Sequence, residues 1–246
     1  MAMTPSELVQ DVCPKIAAHG WAYYFVPETV ARGEQLGLDV FGFYFLGRGG
    51  VLGDVEWPVV HSAFGYFNPD VVRDSWNAGR DKVAPRDAGR AYIECCHGLG
   101  RRRLADVDGL EAFCKAAEQV NDAAEVPGLS LYAAISAEPL ATDPPARAMQ
   151  LVAVLRELRG SAHLLAVVAS GLGAREAHYL HLPDFWGMFG WSDSDIPEVT
   201  DHHRSRLEAA EVLTDSLVLP AYSVLDAEGA EALVSGINAI ADVLTA

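Results

Sequence analysis

The chain has 246 residues, of which 50% are hydrophobic and 21% are charged. This composition provides enough apolar surface for a large core, and it excludes a wholly disordered chain and a mini-protein that needs disulfides. The 34 aspartates and glutamates outnumber the 18 lysines and arginines, which gives a formal net charge of −16. A surface of this charge repels phosphate. With no apolar run long enough to span a bilayer and no signal-peptide pattern, we expect a cytoplasmic protein without a membrane partner.

The first part of the chain, residues 1–136, is rich in aromatic residues and has the apolar spacing of helices. This spacing predicts helices at residues 5–20, from Pro27 onward, at 56–68, at 69–77, at 87–104 and at 107–124. Residues 39–46 form a continuous apolar run that fits a buried strand as well as a buried helix, because such a run has no period. We predict a half that consists mainly of helices.

Residues 137–145 are rich in proline and separate this half from residues 146–246. The second half has helical spacing at residues 146–170, 174–181, 199–219 and 227–245. Gly171 and Gly173 are typical of the end of a helix. The sequence therefore predicts a mostly α fold, with two helical halves that form one compact multi-helix unit.

The glycine-containing segments do not have the spacing of a nucleotide-binding loop. Residues 47–50 and 98–100 fit neither the dinucleotide nor the P-loop pattern, so we expect no nucleotide cofactor. Residues 101–103, three consecutive arginines, are the only compact basic run, and a helix end explains them as well as a phosphate contact does. Together with the net charge, this predicts no nucleic-acid partner.

Histidines and one carboxylate flank the predicted turn at residues 171–173. His163 lies in the apolar long helix, and Glu176, His178 and His181 follow the turn. We expect the turn to fold the short helix back, so that His163 faces an internal pocket near Glu176 or His181. A neutral imidazole beside a carboxylate can transfer protons, which makes His163 and Glu176 candidate catalytic residues. The same side-chain types bind metal ions or haem iron, and the candidate ligands are His163, His178 and His181. A core histidine that is hydrogen-bonded to the backbone is the alternative for His163.

Aromatic residues cluster in four places, and many of them have a polar group that needs a partner. Core packing is the ordinary explanation for such clusters. A pocket for a small apolar molecule is the other, with Arg48 as a third catalytic candidate that orients a polar group. The candidate substrate-binding residues are Tyr24, Tyr44, Phe64, Tyr66, Phe67, Asn68 and Trp191.

Several motifs resemble, in chain order, the SalK-like helix-turn-helix proteins of actinobacteria. They lie at residues 24–28, 47–53, 64–69, 155–160 with His163, 176–181 and 190–193. The resemblance spans nearly the whole chain and implies a mostly helical protein with winged-helix-like C-terminal helices. Tyr66 stands where that family usually has Asn. After Trp191 about twenty residues of the family pattern are missing, and these would supply a recognition helix and wing. We therefore expect the C-terminal helices to be a degenerate winged helix.

These observations lead to two hypotheses about function. The first is a small-molecule-binding enzyme of actinobacterial secondary metabolism, which acts on an apolar or aromatic substrate in a buried pocket. In this hypothesis His163 is an acid/base or a ligand of a metal or haem. The alternative is a ligand-sensing transcriptional regulator, or a protein-interaction module, on the same scaffold. A homodimer is compatible with both.

Overall fold

The computed structural model describes residues 3–245, and within that range it contains twelve α-helices and no β-strand. The helices are α1 (Pro5–His19), α2 (Pro27–Gln35), α3 (Val40–Gly49), α4 (Trp57–Phe64), α5 (Pro69–Arg80), α6 (Pro85–Arg103), α7 (Leu110–Ala123), α8 (Ser130–Ser136), α9 (Pro144–Ala169), α10 (Ala174–His181), α11 (Asp201–Tyr222) and α12 (Ala227–Thr245). Single 3₁₀ turns lie at Gly50–Leu52, Pro183–Phe185 and Asp193–Asp195. The predicted mostly α fold is confirmed.

Many helices begin at a proline, as the sequence predicts for α1, α2 and α5. Proline suits the first helical position because its φ angle is already helical and its missing N–H would have no partner there. The ambiguous apolar run is helical, and it forms most of α3. The side chain of Asp39 caps this helix by accepting a hydrogen bond from the Gly42 amide at 2.6 Å. The short helix α8 was not predicted.

The 26-residue helix α9 is the central element of the fold. It packs against α6, α7 and α8 from the first half of the chain, and against α1 and α11. Gly100 of α6 lies so close to α9 that a β-carbon at that position would clash with the carbonyl oxygen of Pro145. Neither α9 nor any other helix within residues 3–245 is both long and apolar enough to cross a membrane.

The buried apolar side chains form a large main core and a small second one. The main core combines residues from both halves of the chain. The second core is formed at the end of α9, in the turn after it, in α10 and in α11, by Ala166, Val167, Leu172, Ala177 and Ala210. Three consecutive helices therefore share a core of their own at one side of the molecule.

Candidate functional site

A cavity of about 470 Å³ lies between α3, α4, α9, α10 and α11. Eight of the residues singled out in the sequence line it, namely Tyr44, Arg48, Phe64, Tyr66, Phe67, His163, His178 and His181. The arginine and the aromatic residues come from the first half of the chain, and the three histidines come from the second half. The fold brings these two groups together at one cavity. The cavity has the size of an ordinary small-molecule site.

Four predicted site residues do not line this cavity. Tyr24 lies behind its wall, where its hydroxyl donates a hydrogen bond to Glu157 at 3.0 Å. Asn68 caps α5 by accepting from the Asp70 amide, and the indole N–H of Trp191 donates to the Tyr66 carbonyl at 2.9 Å. The fourth, Glu176, turns back toward the start of α10, and its carboxylate lies 3.4 Å from the Arg175 guanidinium.

A buried ion cluster forms one wall of the cavity. The guanidinium of Arg48 donates to both carboxylate oxygens of Glu157, at 2.9 and 2.8 Å, and to the Tyr44 hydroxyl at 2.9 Å. Arg156 donates a further hydrogen bond to Glu157 at 2.9 Å. The Arg48 guanidinium also lies 4.4 Å from the centre of the Phe64 ring. One carboxylate thus serves two arginines and the hydroxyl of Tyr24.

The cluster is charged at neutral pH. Burial by itself would raise the pKa of Glu157, but Arg48 and Arg156 lower it to about 2. Burial opposes the charged form of Arg48 as well, and Glu157 outweighs this effect and raises the pKa of the guanidinium. Ionised groups that are buried away from water require partners of opposite charge, and the bidentate contact between Arg48 and Glu157 supplies them.

His163 is held by α11 and not by Glu176. Its Nδ1 lies 3.0 Å from the Thr214 hydroxyl and 3.8 Å from Glu211, and its ring centre lies 6.4 Å from that of His181. The hydrogen-bond partner of His163 is therefore a side chain, and not the backbone carbonyl of the alternative interpretation. Burial lowers the pKa of His163, with Glu211 opposing this shift, so the imidazole is neutral at pH 7.

His178 packs between aromatic rings, and no group within residues 3–245 is hydrogen-bonded to its Nε2 atom. Its ring centre lies 4.0 Å from that of Phe189 and 5.8 Å from that of Trp186. Burial, together with the nearby His181, lowers the pKa of His178 to about 4. The Tyr66 ring lies 6.3 Å from that of His178, and its buried hydroxyl likewise has no hydrogen-bond partner in the part of the chain that the structure describes.

The three histidines border one cavity but do not form a metal centre. Within residues 3–245, no group of three or more His, Cys, Asp or Glu residues is placed to hold a metal ion. Zinc ligands must approach the ion to about 2 Å. The Nδ1 atom of His163 already faces Thr214.

Sequence reasoning missed the charged residues that α9 and α11 contribute to the cavity, which are Arg156, Glu157, Arg159 and Glu211. A signal for Glu157 was available. It lies in a helix that is buried on most of its surface, so a carboxylate at that position requires a buried cationic partner. The identity of that partner, Arg48, has no local signal.

A helix–turn–helix arrangement borders the cavity. α9 and α10 are joined by the four residues 170–173, in which Gly171 has a φ of +68° and Leu172 is buried in the second core. Such short turns, often with glycine, connect the two helices of DNA-binding helix–turn–helix units. The guanidinium of Arg206, on the first turns of α11, donates to the Gly171 carbonyl and fastens the turn.

Within residues 3–245 the protein is all-α, and α9 and α10 are one of its helix pairs with a short connecting turn. The model of the helix-turn-helix family matches residues 14–246, and the chain belongs to that family. No curated protein and no solved structure matches the chain.

The family corrects two predictions. The hypothesis of an enzyme of secondary metabolism is wrong, because the family points to a DNA-binding regulator and favours the alternative of a ligand-sensing regulator. The prediction of no nucleic-acid partner is wrong for the same reason. That prediction rested largely on net charge, a property of the whole chain, whereas DNA contact depends on a local surface.

Proposed function

We propose that this protein is a ligand-sensing transcriptional regulator that contacts DNA through α10. In a helix–turn–helix unit the helix after the turn enters the major groove, with its N-terminal residues closest to the bases. α10 follows the turn, and Arg175 is exposed in its first turn. The second core supports this proposal, because it gives the end of α9, α10 and the start of α11 a shared packing unit.

One observation gives α10 a second role. Ala177, His178 and His181 of this helix line the cavity, while Arg175 is exposed to solvent. A molecule in the cavity would therefore contact the helix that we assign to DNA. A change in the position of α10 on binding gives a direct physical route from the cavity to DNA affinity.

The charge of the surface limits the DNA contact to a few phosphates. Arg206 contacts the turn and Arg175 follows it on α10. Arg204 lies near Arg206 along α11, as do the acidic residues Asp201 and Glu208. Three phosphate contacts predict that log K falls with log salt concentration with a slope no steeper than about −3.

The resemblance to the SalK-like proteins of actinobacteria is a finer part of this proposal. It is supported by the order of the shared motifs. The segment after Trp191 is a departure from that family's pattern, since the turn Asp193–Asp195 alone precedes α11. Because this segment has no room for a further recognition helix, we assign DNA contact to α10.

The proposal is tested by selecting duplexes from a random library on the full chain at low salt and measuring their affinity by fluorescence anisotropy. We expect Arg175→Ala to weaken binding to the selected duplex at least about tenfold, the cost of one good base contact. Arg90→Ala is the matched control, since Arg90 is also exposed and pairs with a nearby carboxylate, Asp87, but lies on α6. Failure to enrich any duplex, or equal effects of the two substitutions, would reject the proposal.

A further inference from the structure

The wall of the cavity has more positive than negative charge. Glu157 has a side chain that is only 3% exposed, and it forms its bidentate pair with Arg48, which is 12% exposed. Arg156 is 26% exposed and reaches the same carboxylate with a single nitrogen. Two guanidiniums therefore share one carboxylate, and a buried surplus charge favours an anionic partner.

Arg156 has the vacant hydrogen-bond donors. Its Nη1 atom donates to Glu157 and to the Tyr24 hydroxyl, while its Nε and Nη2 atoms donate to no group within residues 3–245. Arg159, the other arginine nearby on α9, contacts Asp215 at 2.6 Å and Glu211 at 3.2 Å. Nε and Nη2 lie on one edge of a guanidinium, the geometry that binds a carboxylate with two hydrogen bonds.

The rest of the cavity is largely apolar and aromatic. Phe64 and Phe67 lie on it, and Phe67 stacks on Phe189 with ring centres 4.0 Å apart. On the side of α10, the cavity is lined by Tyr66 and His178. A ligand suited to these walls has a flat aromatic body and one charged group.

We propose that the cavity binds a small aromatic monoanion, such as an aryl carboxylate, whose charged group pairs with Arg156 and whose ring lies against Phe64, Phe67 and Phe189. The claim that this anion is the effector of the regulator rests on the proposed function. The claim that it binds in the cavity does not.

The test is a titration of the full chain, without DNA, by calorimetry with 2-naphthoate and with its neutral counterpart 2-naphthamide. We expect 2-naphthoate to bind at least about tenfold more tightly, because only the carboxylate forms charge-assisted hydrogen bonds with Arg156. Equal affinities, tighter binding of the amide, or no binding of 2-naphthoate would overturn the proposal.

Variants locate the site. Arg156→Met should remove the preference for 2-naphthoate over 2-naphthamide, and Arg156→Lys should retain part of it because the charge stays. Arg90→Met is the control and should bind both probes as the unmodified chain does. If Arg156→Met still prefers 2-naphthoate, the assignment of Arg156 as the partner of the anion is overturned. If this variant does not fold, the comparison of the two probes on the unmodified chain decides whether the cavity binds an aromatic anion. This titration contains no DNA. If the chain binds 2-naphthoate but enriches no duplex, the proposed regulator function is rejected and the proposed ligand is not.

Discussion

Glu157 is the residue on which the cavity wall depends most. Its carboxylate accepts hydrogen bonds from Arg48, Arg156 and the Tyr24 hydroxyl, and it is the only anion of this cluster. Replacing a buried pair with apolar groups can be harmless, whereas removing one partner leaves an uncompensated charge. Here the loss of one carboxylate affects two arginines.

Glu157→Gln should lower the free energy of unfolding by about 3 kcal/mol, because it leaves the guanidiniums of Arg48 and Arg156 without a counter-charge. Urea denaturation followed by circular dichroism measures this loss. Glu208→Gln, at an exposed position of α11, is the control and should change stability little. A loss below about 1 kcal/mol in Glu157→Gln would contradict the role of the cluster.

Glu157→Gln should also change how the stability of the protein depends on pH in the acidic range. The pKa of Glu157 is lowered from an ordinary value of 4.5 to about 2, so its contribution to stability is present above pH 4.5 and is lost as the pH falls toward 2. The stability of the unmodified chain should therefore fall more steeply across this window than that of Glu157→Gln. Parallel curves would show that the carboxylate is not held ionised.

At the scale of elements, α10 requires support from the rest of the fold. A helix of eight residues is too short to be stable in water by itself. Ala177 anchors it in the second core, and His178 anchors it by packing against Phe189 and Trp186. The neutral ring of His178 suits this apolar place, and a protonated ring does not.

The melting temperature should fall as the pH is lowered from 6.5 toward 4, because the unfolded chain binds a proton at His178 that the folded chain excludes. His178→Phe keeps an aromatic ring and removes this proton, so its melting temperature should depend less on pH in that range. His202→Phe, at an exposed position of α11, serves as the control. If His178→Phe and the unmodified chain lose the same number of degrees, His178 is not held neutral.

At the scale of the whole molecule, α9 joins the two halves. It packs against α6 and α7 on one side and against α11 on the other, and the main core includes residues of both halves. The proline-rich segment is fastened to α9, since the Gln150 side chain donates to the Pro139 carbonyl and accepts from the Ala141 amide, both at 3.0 Å. We propose that residues 137–145 connect two parts of one folding unit.

A fragment of residues 146–246 should therefore be unfolded by itself, because α9 would expose the apolar surface that α6 and α7 cover. The full chain should unfold in a single calorimetric transition. Far-ultraviolet circular dichroism measures whether the fragment is helical, and scanning calorimetry measures how many transitions the full chain has. A cooperatively folded fragment, or two separate transitions, would show independent domains.

The sequence by itself determined where most helices lie. Proline at the first helical position and the glycine that ends α9 act over a few residues, so their effect can be inferred without the fold. The apolar run that forms α3 was ambiguous because continuous burial removes the periodicity that separates helix from strand. Tyr44, Phe64 and Phe67, which the sequence singles out as candidate binding residues, line one cavity, and their binding role stays a prediction.

Only the tertiary structure decided which side chains meet. Arg48 and Glu157 are 109 residues apart, and His163 and Thr214 are 51 apart, so no local pattern joins either pair. Glu176 or His181 was the expected neighbour of His163. The ring of His181 lies 6.4 Å from that of His163, whereas the Glu176 carboxylate turns back toward the start of α10. Helical periodicity predicts which residues share one helix face. Which faces oppose each other is decided by the packing of α9 against α6 and α11, and this depends on the summed burial of the whole core.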